Sequence, residues 1–287
     1  WMIIKDAEEV EFVGYDHLNC TAEIIKYRTI VEKQKEKFQL VLNRTPFYAE
    51  SGGQVGDKGF IENNGEIISV IDTKKENDLI IHFVNELPTD ASTLVDAKIN
   101  ATRRVLTENN HSATHLLHAA LRQVLGTHVQ QKGSLVKDEY LRFDFSHFEK
   151  VSTEQLKEVE QLVNAKIREN ISLIENRNIS VQDAKEAGAM MLFGEKYGSS
   201  VRVLRIGDFS MELCGGTHVG RAGDIGLFKV IAESGVAAGV RRIEAVTGEG
   251  ALRLVEAQES AVREVAGLLR GTRDEIAQKV RDALDRI

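Results

Sequence analysis

The chain has 287 residues, of which 42% are hydrophobic and 28% are charged, and its formal net charge is −7. This composition is typical of a soluble globular protein, and the length predicts two domains. The negative charge excludes a protein that binds nucleic acid over its whole surface, so any RNA contact must come from local basic groups. No apolar run approaches the roughly 20 residues that a membrane-spanning helix needs.

The cysteine content and the chain ends indicate the cellular setting. Cys20 and Cys214 are too few for a disulfide framework, and no secretory signal is present, so a reducing cytoplasm is expected. Trp1 precedes Met2, and the final helical segment has no stop signal, which indicates part of a longer protein. We expect this part to be a monomer, whereas a missing C-terminal region can make the parent protein oligomeric.

The first 100 residues contain short segments rich in β-branched and aromatic side chains. The predicted strands are residues 22–27, 38–42, 67–71 and 79–84, and the turns between them are residues 63–65, 76–78 and 87–88. Many short strands with turns between them indicate a small antiparallel barrel or sandwich. We therefore place a β-barrel domain at residues 1–100.

A long glycine-rich stretch, TPFYAESGGQVGDKG at residues 45–59, interrupts these strands. It has two interpretations, a flexible connection or a functional lip over a binding site. The residues by themselves do not choose between them.

The periodicity becomes helical after residue 101. Apolar residues at helical spacing predict a helix over 102–125 with Gly126 as its C-cap. A glycine-marked connection is expected at residues 129–135. Ser152 with Gln155 predicts a capping box at the start of a helix that continues to about residue 169.

The rest of the chain alternates helices with hairpin-like strands. Ser180 with Asp183 opens a short helix that ends near Gly188. The predicted strands are residues 140–145, 171–174, 201–206, 209–213, 225–231 and 240–246. This pattern indicates an α+β domain over residues 101–248. Residues 249–287 predict a helical tail, with helices at residues 251–269 and 273–287.

Two pairs of potential metal ligands lie far apart in this sequence. His111 and His115 are four residues apart on a predicted helix, so they share a face. Cys214 and His218 have the same separation with two glycines between them, which is typical of a tight turn. Nitrogen and sulfur donors of this kind suit zinc. One histidine pair is weak evidence, but the two pairs together predict a zinc site over packed histidines and an inert thiol.

Spacing does not decide whether this zinc is structural or catalytic. Four protein ligands are typical of structural zinc, whereas catalytic zinc keeps one position open. His118 shares the helix face of His111 and His115 and competes as a ligand, although a packed or solvated histidine is the ordinary interpretation. His128 and His147 have the same ordinary interpretation.

Three polar side chains accompany these ligands. Thr114 precedes His115 on the helix, and Gln131 and Ser134 follow in the connection. A helical threonine usually bonds its own backbone, and a loop glutamine is usually solvated. The residues alone therefore assign them no function.

Several motifs together resemble the editing domain of bacterial alanyl-tRNA synthetase. They are NHSATHLLHAAL (110–121), QKGS (131–134), LRFDFSH (141–147), CGGTH (214–218) and GVAAGVRRIE (235–244). Residues 45–59 resemble the barrel signature of the same family. The resemblance covers nearly the whole chain, and no motif position departs from the family's pattern.

The resemblance implies a barrel, a zinc-bearing editing domain and the helical start of a coiled coil. It also implies hydrolysis of serine or glycine wrongly esterified to tRNA(Ala). The domain that attaches alanine to tRNA with ATP is absent from this sequence, so ATP binding and tRNA charging are not expected of it.

The resemblance further implies that Thr114, Gln131 and Ser134 recognise the substrate. An alanine pocket cannot strongly exclude glycine, and it rejects an added hydroxyl only weakly, so a second site is needed. Polar groups aimed at the serine hydroxyl would spare alanyl-tRNA, because alanine would leave them unpaired at a cost of about 1–3 kcal/mol each.

Local basic residues are the expected contacts for the phosphates of the tRNA acceptor stem. They are Arg103, Arg104, Lys132, Arg221, Arg241 and Arg242. The alternative for each of them is a surface ion pair.

Three other interpretations of the chain stay open. The first is a free-standing protein that edits mischarged tRNA, against which the Trp1–Met2 start argues. The second is the related editing domain of threonyl-tRNA synthetase, against which the loop at residues 45–59 argues. The third is a non-catalytic tRNA-binding module whose zinc is purely structural.

Overall fold

A computed structural model describes residues 1–6, 10–32, 34–77, 79–191, 198 and 200–286. Strands β1 to β9 are Met2–Ile3, Glu11–Phe12, Asn19–Glu32, Lys35–Leu42, Arg44–Thr45, Gly59–Asn63, Glu66–Glu76, Leu79–Val84 and Leu94–Ile99. Strands β10 to β16 are Gln131–Val136, Leu141–Ser146, Leu173–Ser180, Ser200–Ile206, Ser210–Leu213, Phe228–Ala237 and Val240–Thr247. Helices α1 to α5 are Ala101–Leu125, Thr153–Arg168, Val181–Glu186, Gly248–Leu268 and Ile276–Leu284.

The N-terminal strands close into an antiparallel barrel of six strands. Its order is β3-β4-β8-β7-β6-β9, and β9 pairs back to β3. The long strand β3 makes this closure possible, because residues 19–23 pair with β9 and residues 24–32 pair with β4. Leu40, Phe47 and Ile61 are fully buried inside. The predicted small antiparallel barrel is confirmed, and the sandwich alternative is wrong.

The middle of the chain packs two helices on a four-stranded antiparallel sheet of order β10-β11-β16-β15. Helix α1 begins at the cap Asn100, whose side chain accepts a hydrogen bond from the Arg103 N–H, and it ends at Gly126 with φ 116°. Leu116 and Leu117 of α1 join the sheet residue Phe143 in one core. The mixed α+β architecture and the Gly126 cap are therefore confirmed.

A third sheet, of order β12-β13-β14, carries helix α3 and a small core of its own. Its last strand, β14, ends at Leu213, one residue before Cys214. The hairpin of β13 and β14 thus places the glycine-rich turn, residues 214–218, beside α1. The predicted capping box of Ser152 and Gln155 is present at the start of α2.

Several predicted boundaries are wrong. Residues 131–136 are the strand β10 and not part of a connection. This stretch, QKGSLV, has few β-branched residues, and its strand form depends on pairing with β11. The strand predicted at 171–174 runs over Leu173–Ser180, and the strand predicted at 225–231 runs over Phe228–Ala237 after a 3₁₀ turn, Ala222–Ile225.

The tail begins earlier and is more divided than predicted. Helix α4 starts at Gly248, and a 3₁₀ turn, Arg273–Glu275, precedes the short α5. Two predicted end residues, Asp78 of a turn and Ile287 of the tail helix, lie outside the described residues. Within the part of the chain that is described, no helix is long and apolar enough to cross a membrane.

Candidate metal centre and cavity

The two predicted ligand pairs converge beside helix α1. His111 and His115 lie on successive turns of α1 and are buried, and the turn after β14 places Cys214 and His218 against them. One potential ligand atom from each of the four residues lies within 4.8 Å of the others. The Cys214 Sγ is 3.5 Å from His111 Nε2 and 3.3 Å from His218 Nε2.

The glycine-rich turn approaches α1 so closely that residue 216 must lack a side chain. A Cβ on Gly216 would lie 2.1 Å from the Cε1 of His111. The turn is also held from outside, since the Arg202 guanidinium donates to the carbonyls of Cys214 and Gly216 at 3.2 and 2.5 Å. These contacts aim the Cys214 sulfur at the histidines.

The glycine-rich stretch at residues 45–59 is part of the site. Gln54 is fully buried, its Nε2 donates to Thr217 Oγ1, and its Oε1 accepts from the Thr217 N–H, each at 2.9 Å. That amide orientation makes His111 Nδ1 the donor in its 2.7 Å hydrogen bond to Gln54 Oε1. The Nε2 of His111 therefore keeps its lone pair, and the lip interpretation of this stretch describes the structure better than a flexible connection.

Glu212 also belongs to the candidate site, and its sequence position alone did not single it out. Its carboxylate lies 3.4 Å from His115 Nδ1 and 3.2 Å from His118 Nδ1. Because alternate residues of a strand share a face, Glu212 in β14 points to the same side as Cys214. That two-residue spacing was the available signal. His218, another potential ligand, has a similar neighbour, since the Ser112 Oγ lies 3.1 Å from its Nδ1.

Burial disfavours the charged form of the imidazoles. It lowers the pKa of His111 and of His218 well below the ordinary value, and neighbouring histidines lower both further. Burial also lowers the pKa of His115, with the Glu212 charge opposing it. Neutral imidazoles present the lone pairs that metal ligands require.

The donor set fits a tetrahedral metal ion. Three imidazole nitrogens and one thiolate around zinc would place sulfur and nitrogen about 3.6 Å apart, from the usual bond lengths. The 3.5 and 3.3 Å separations at Cys214 agree with that value. The four residues could therefore hold a metal ion.

A cavity of about 430 Å³ opens next to this cluster. His111, His115 and Cys214 line it, and the three polar residues singled out from the sequence line it as well: Thr114, Gln131 and Ser134. Further lining residues include Tyr48, Lys75, His118, Arg202 and Glu212.

A β-bulge explains why Gln131 and Ser134 reach the same cavity. Residues three apart in a regular strand face opposite sides. In β10, Gln131 pairs with Phe145 and Gly133 with Asp144, so Lys132 is an extra residue between them. Ser134 is thereby rotated onto the face of Gln131.

The basic residues predicted to contact tRNA lie outside the cavity lining. Arg103 pairs with Asp138 at 2.8 Å, and Arg242 bonds Asp144 at 2.6 and 2.7 Å. The remaining ones also have partners or an exposed position. Arg241 contacts Glu233, Arg221 bonds Ser172 and Asn170, Arg104 is buried against Asp57, and Lys132 is exposed.

His128 and His147 contact each other and not the metal-ligand cluster. The Nε2 of His128 lies 2.9 Å from the Nδ1 of His147, and their rings are stacked. Neither residue lines the cavity.

Two models of known protein families match parts of the chain. Residues 201–244 match the family described as threonyl and alanyl tRNA synthetase second additional domain, and residues 3–103 match tRNA synthetases class II (A). Cys214 and His218 fall within the first match, while the histidines of α1 lie outside both. The chain thus has the features of a class II aminoacyl-tRNA synthetase that carries this additional domain.

Similarity to three relatives narrows the family further. The chain is 56% identical over 99% of its length to the alanine–tRNA ligase of Cytophaga hutchinsonii, of which it covers 32%. It is 54% identical over 96% of its length to that of Christiangramia forsetii, and 52% identical over 96% to one from Bacteroides fragilis, covering 32% and 31% of them. The chain belongs to the alanine–tRNA ligase family and spans 31–32% of the length of these relatives.

Proposed function

We propose that this chain carries an editing site that hydrolyses serine or glycine esterified to tRNA(Ala). The observation that carries the proposal is the shared cavity, which is lined by three potential metal ligands and by Thr114, Gln131 and Ser134. Its volume of about 430 Å³ is that of a small-molecule site, large enough for an amino acid with part of a ribose.

Zinc is the proposed cofactor, held by His111, His115, Cys214 and His218. When bound, it would supply Lewis-acid polarisation of the ester carbonyl. The chain's own contribution is orientation, since Gln54 and Glu212 contact the Nδ1 atoms of His111 and His115 and leave both Nε2 atoms for the metal.

The polar wall of the cavity supports selection of serine over alanine. The Thr114 hydroxyl donates to the Asn110 carbonyl at 2.8 Å, so its oxygen remains an acceptor for the serine hydroxyl. Gln131 and Ser134 can add further hydrogen bonds from β10. Alanine would leave these groups without partners, which costs about 1–3 kcal/mol for each buried one.

The proposed partner is the acceptor end of tRNA(Ala). Lys75 is an exposed cation among the lining residues, and exposed Lys132 is the bulged neighbour of Gln131. Arg103, Arg241 and Arg242 would have to exchange their carboxylates for phosphates. Attachment of alanine with ATP is proposed only for a longer parent protein. The boundaries 1–100, 101–248 and 249–287 remain our proposal for the domains.

A deacylation assay with a matched pair of cysteine variants tests this function. We expect the wild-type chain to hydrolyse Ser-tRNA(Ala) and Gly-tRNA(Ala) and to spare Ala-tRNA(Ala). C214A should lose its zinc and slow hydrolysis of Ser-tRNA(Ala) by more than about 100-fold, because a direct ligand matters more than its supporting neighbours. C20A is the control, because Cys20 lies in the barrel strand β3. This variant should leave the zinc content and the rate of Ser-tRNA(Ala) hydrolysis unchanged.

The outcomes separate the competing functions. Undiminished hydrolysis by metal-free C214A would contradict the zinc-dependent mechanism. Stoichiometric zinc and tRNA binding without hydrolysis would instead support a binding module with structural zinc, which four protein donors also allow.

A further inference from the structure

His118 lies in the cavity but belongs to no part of the proposed mechanism so far. It is on α1, 4% exposed, with its ring centre 5.2 Å from that of Phe143. Its Nδ1 lies 3.2 Å from Glu212 Oε1. Its Nε2 is buried and has no hydrogen-bond partner among the described residues, although the residue lines the cavity.

The two nitrogens of this imidazole have different roles. A carboxylate only accepts hydrogen bonds, so His118 Nδ1 carries the proton shared with Glu212. In the neutral ring, Nε2 is then an acceptor with a free lone pair. A buried polar atom without a partner is costly, so in a native protein it calls for a partner that the chain does not supply, such as a water, an ion or a ligand.

The charges around the cavity indicate which kind of donor would form a hydrogen bond with His118 Nε2. Glu212 is the one acid among the described lining residues, and it is buried directly behind His118. The two cations are placed elsewhere, because Arg202 bonds Glu175 and the turn carbonyls, and Lys75 is exposed. An acceptor nitrogen backed by a carboxylate favours a positively charged N–H donor over a neutral hydroxyl.

We propose that His118, supported by Glu212, is the subsite for the α-ammonium group of the aminoacyl ester. This inference rests on the proposed function and deepens it. Serine, glycine and alanine share the ammonium group, so His118 positions any aminoacyl ester, whereas Thr114, Gln131 and Ser134 distinguish the side chain. The site then requires a free amino group and disfavours N-acylated and deaminated esters.

A comparison of two non-hydrolysable ligands tests the subsite without relying on turnover. The first is 3′-amino-3′-deoxyadenosine acylated with serine, and the second carries 3-hydroxypropanoate, which keeps the hydroxyl but lacks the amine. We expect the zinc-loaded wild-type chain to bind the seryl compound about tenfold more tightly by calorimetry. H118F should lose that preference and bind the hydroxypropanoyl compound as the wild type does.

The matched control is H128F, the same substitution at a histidine outside the cavity, which should keep the full preference. Zinc content and the thermal unfolding curve show whether H118F is folded, and H118L replaces it if it is not. Ring ¹⁵N shifts of the wild-type chain provide a reading without any substitution. The His118 Nε2 resonance should shift when the seryl compound binds and should not shift when the hydroxypropanoyl compound binds.

Equal weakening of both ligands by H118F, or no weakening of either, overturns the subsite. A His118 Nε2 resonance that does not move when the seryl compound binds also overturns it.

The failure of the proposed function can be distinguished from the failure of the subsite. A wild-type chain that prefers the amine but does not hydrolyse Ser-tRNA(Ala) keeps the subsite and loses the editing activity. If the wild-type chain hydrolyses Ser-tRNA(Ala) while H118F keeps the amine preference, the editing function stands and the His118 subsite fails.

Discussion

Each imidazole of the ligand cluster has its second nitrogen held by a residue from another part of the chain. Gln54 contacts His111, Glu212 contacts His115, and Ser112 contacts His218. Such neighbours set the tautomer and the ring orientation before a metal binds. At the residue scale, the orientation of the three imidazoles therefore depends on side chains outside the cluster of potential ligands.

Replacement of Gln54 tests this dependence. Q54L removes the acceptor of His111 Nδ1 and both hydrogen bonds to Thr217. We expect zinc affinity to fall by about 10–100-fold, the usual effect of losing such a neighbour. Competition with a chromogenic chelator measures it, and Q123L on the exposed side of α1 is the control. Equal affinities of Q54L and Q123L would show that Gln54 has no orienting role.

At the scale of elements, β10 and β14 place polar side chains by strand geometry. In β14, the Glu212 carboxylate contacts His115 and His118, whereas Leu213 packs in the core of the third sheet. In β10, the extra residue Lys132 brings Gln131 and Ser134 to one side. A single inserted residue thus decides which side chains of β10 reach the cavity.

Deletion of Lys132 should turn Gln131 away from the cavity while α1 and the metal ligands stay in place. We expect zinc content to be unchanged and the ratio of Ser-tRNA to Ala-tRNA hydrolysis to fall by about tenfold, the worth of one hydrogen bond. The control is K132A, which removes the same side chain and keeps the bulge. If the two variants discriminate equally well, the bulge is not what positions Gln131.

At the scale of the whole molecule, a buried ion pair ties the barrel to α1. Arg104 is 1% exposed, contacts the Asp57 carboxylate, and donates to the carbonyls of Gly14 and Pro46 at 2.6 and 3.0 Å. The adjacent Arg103 makes a half-exposed pair with Asp138. The same helix therefore presents one structural arginine and one surface arginine.

R104A should destabilise the chain by about 3–5 kcal/mol, because it leaves the buried Asp57 carboxylate without its cation, with the Tyr48 N–H still donating to it. R103A should cost less, about 1 kcal/mol, because the Arg103 guanidinium is 39% exposed and water screens the pair in part. Denaturant unfolding measures both free energies. A smaller loss for R104A than for R103A would contradict the role of this pair.

Glu108 makes the stability of the chain depend on pH at this contact between the barrel and α1. Burial raises its pKa to about 7, with Asp57 adding to the rise and Arg104 opposing it. The folded chain keeps a proton that the unfolded chain releases near its ordinary value of 4.5, so this residue lowers stability as pH rises from about 4.5 to about 7. E108Q should be more stable than the wild type by roughly 1–3 kcal/mol at pH 8 and not at pH 4. A pH-independent difference in unfolding free energy would contradict this.

Local patterns in the sequence determined much of the fold. The barrel strands, the helix ending at Gly126 and the capping box at Ser152 each depend on neighbours a few residues apart. The pairing of His111 with His115 is of the same kind, because helical periodicity places them on one face. The resemblance to the alanyl-tRNA synthetase family is likewise readable from short motifs.

Only the tertiary structure decided which side chains complete the site. Gln54 is 57 residues from His111, and Glu212 is 94 residues from His118. The bulge that directs Gln131 and Ser134 appears only when β10 is paired with β11. Periodicity can place Glu212 on the same side as Cys214, but the residue that each side chain contacts is set where elements pack, and no local pattern encodes that contact.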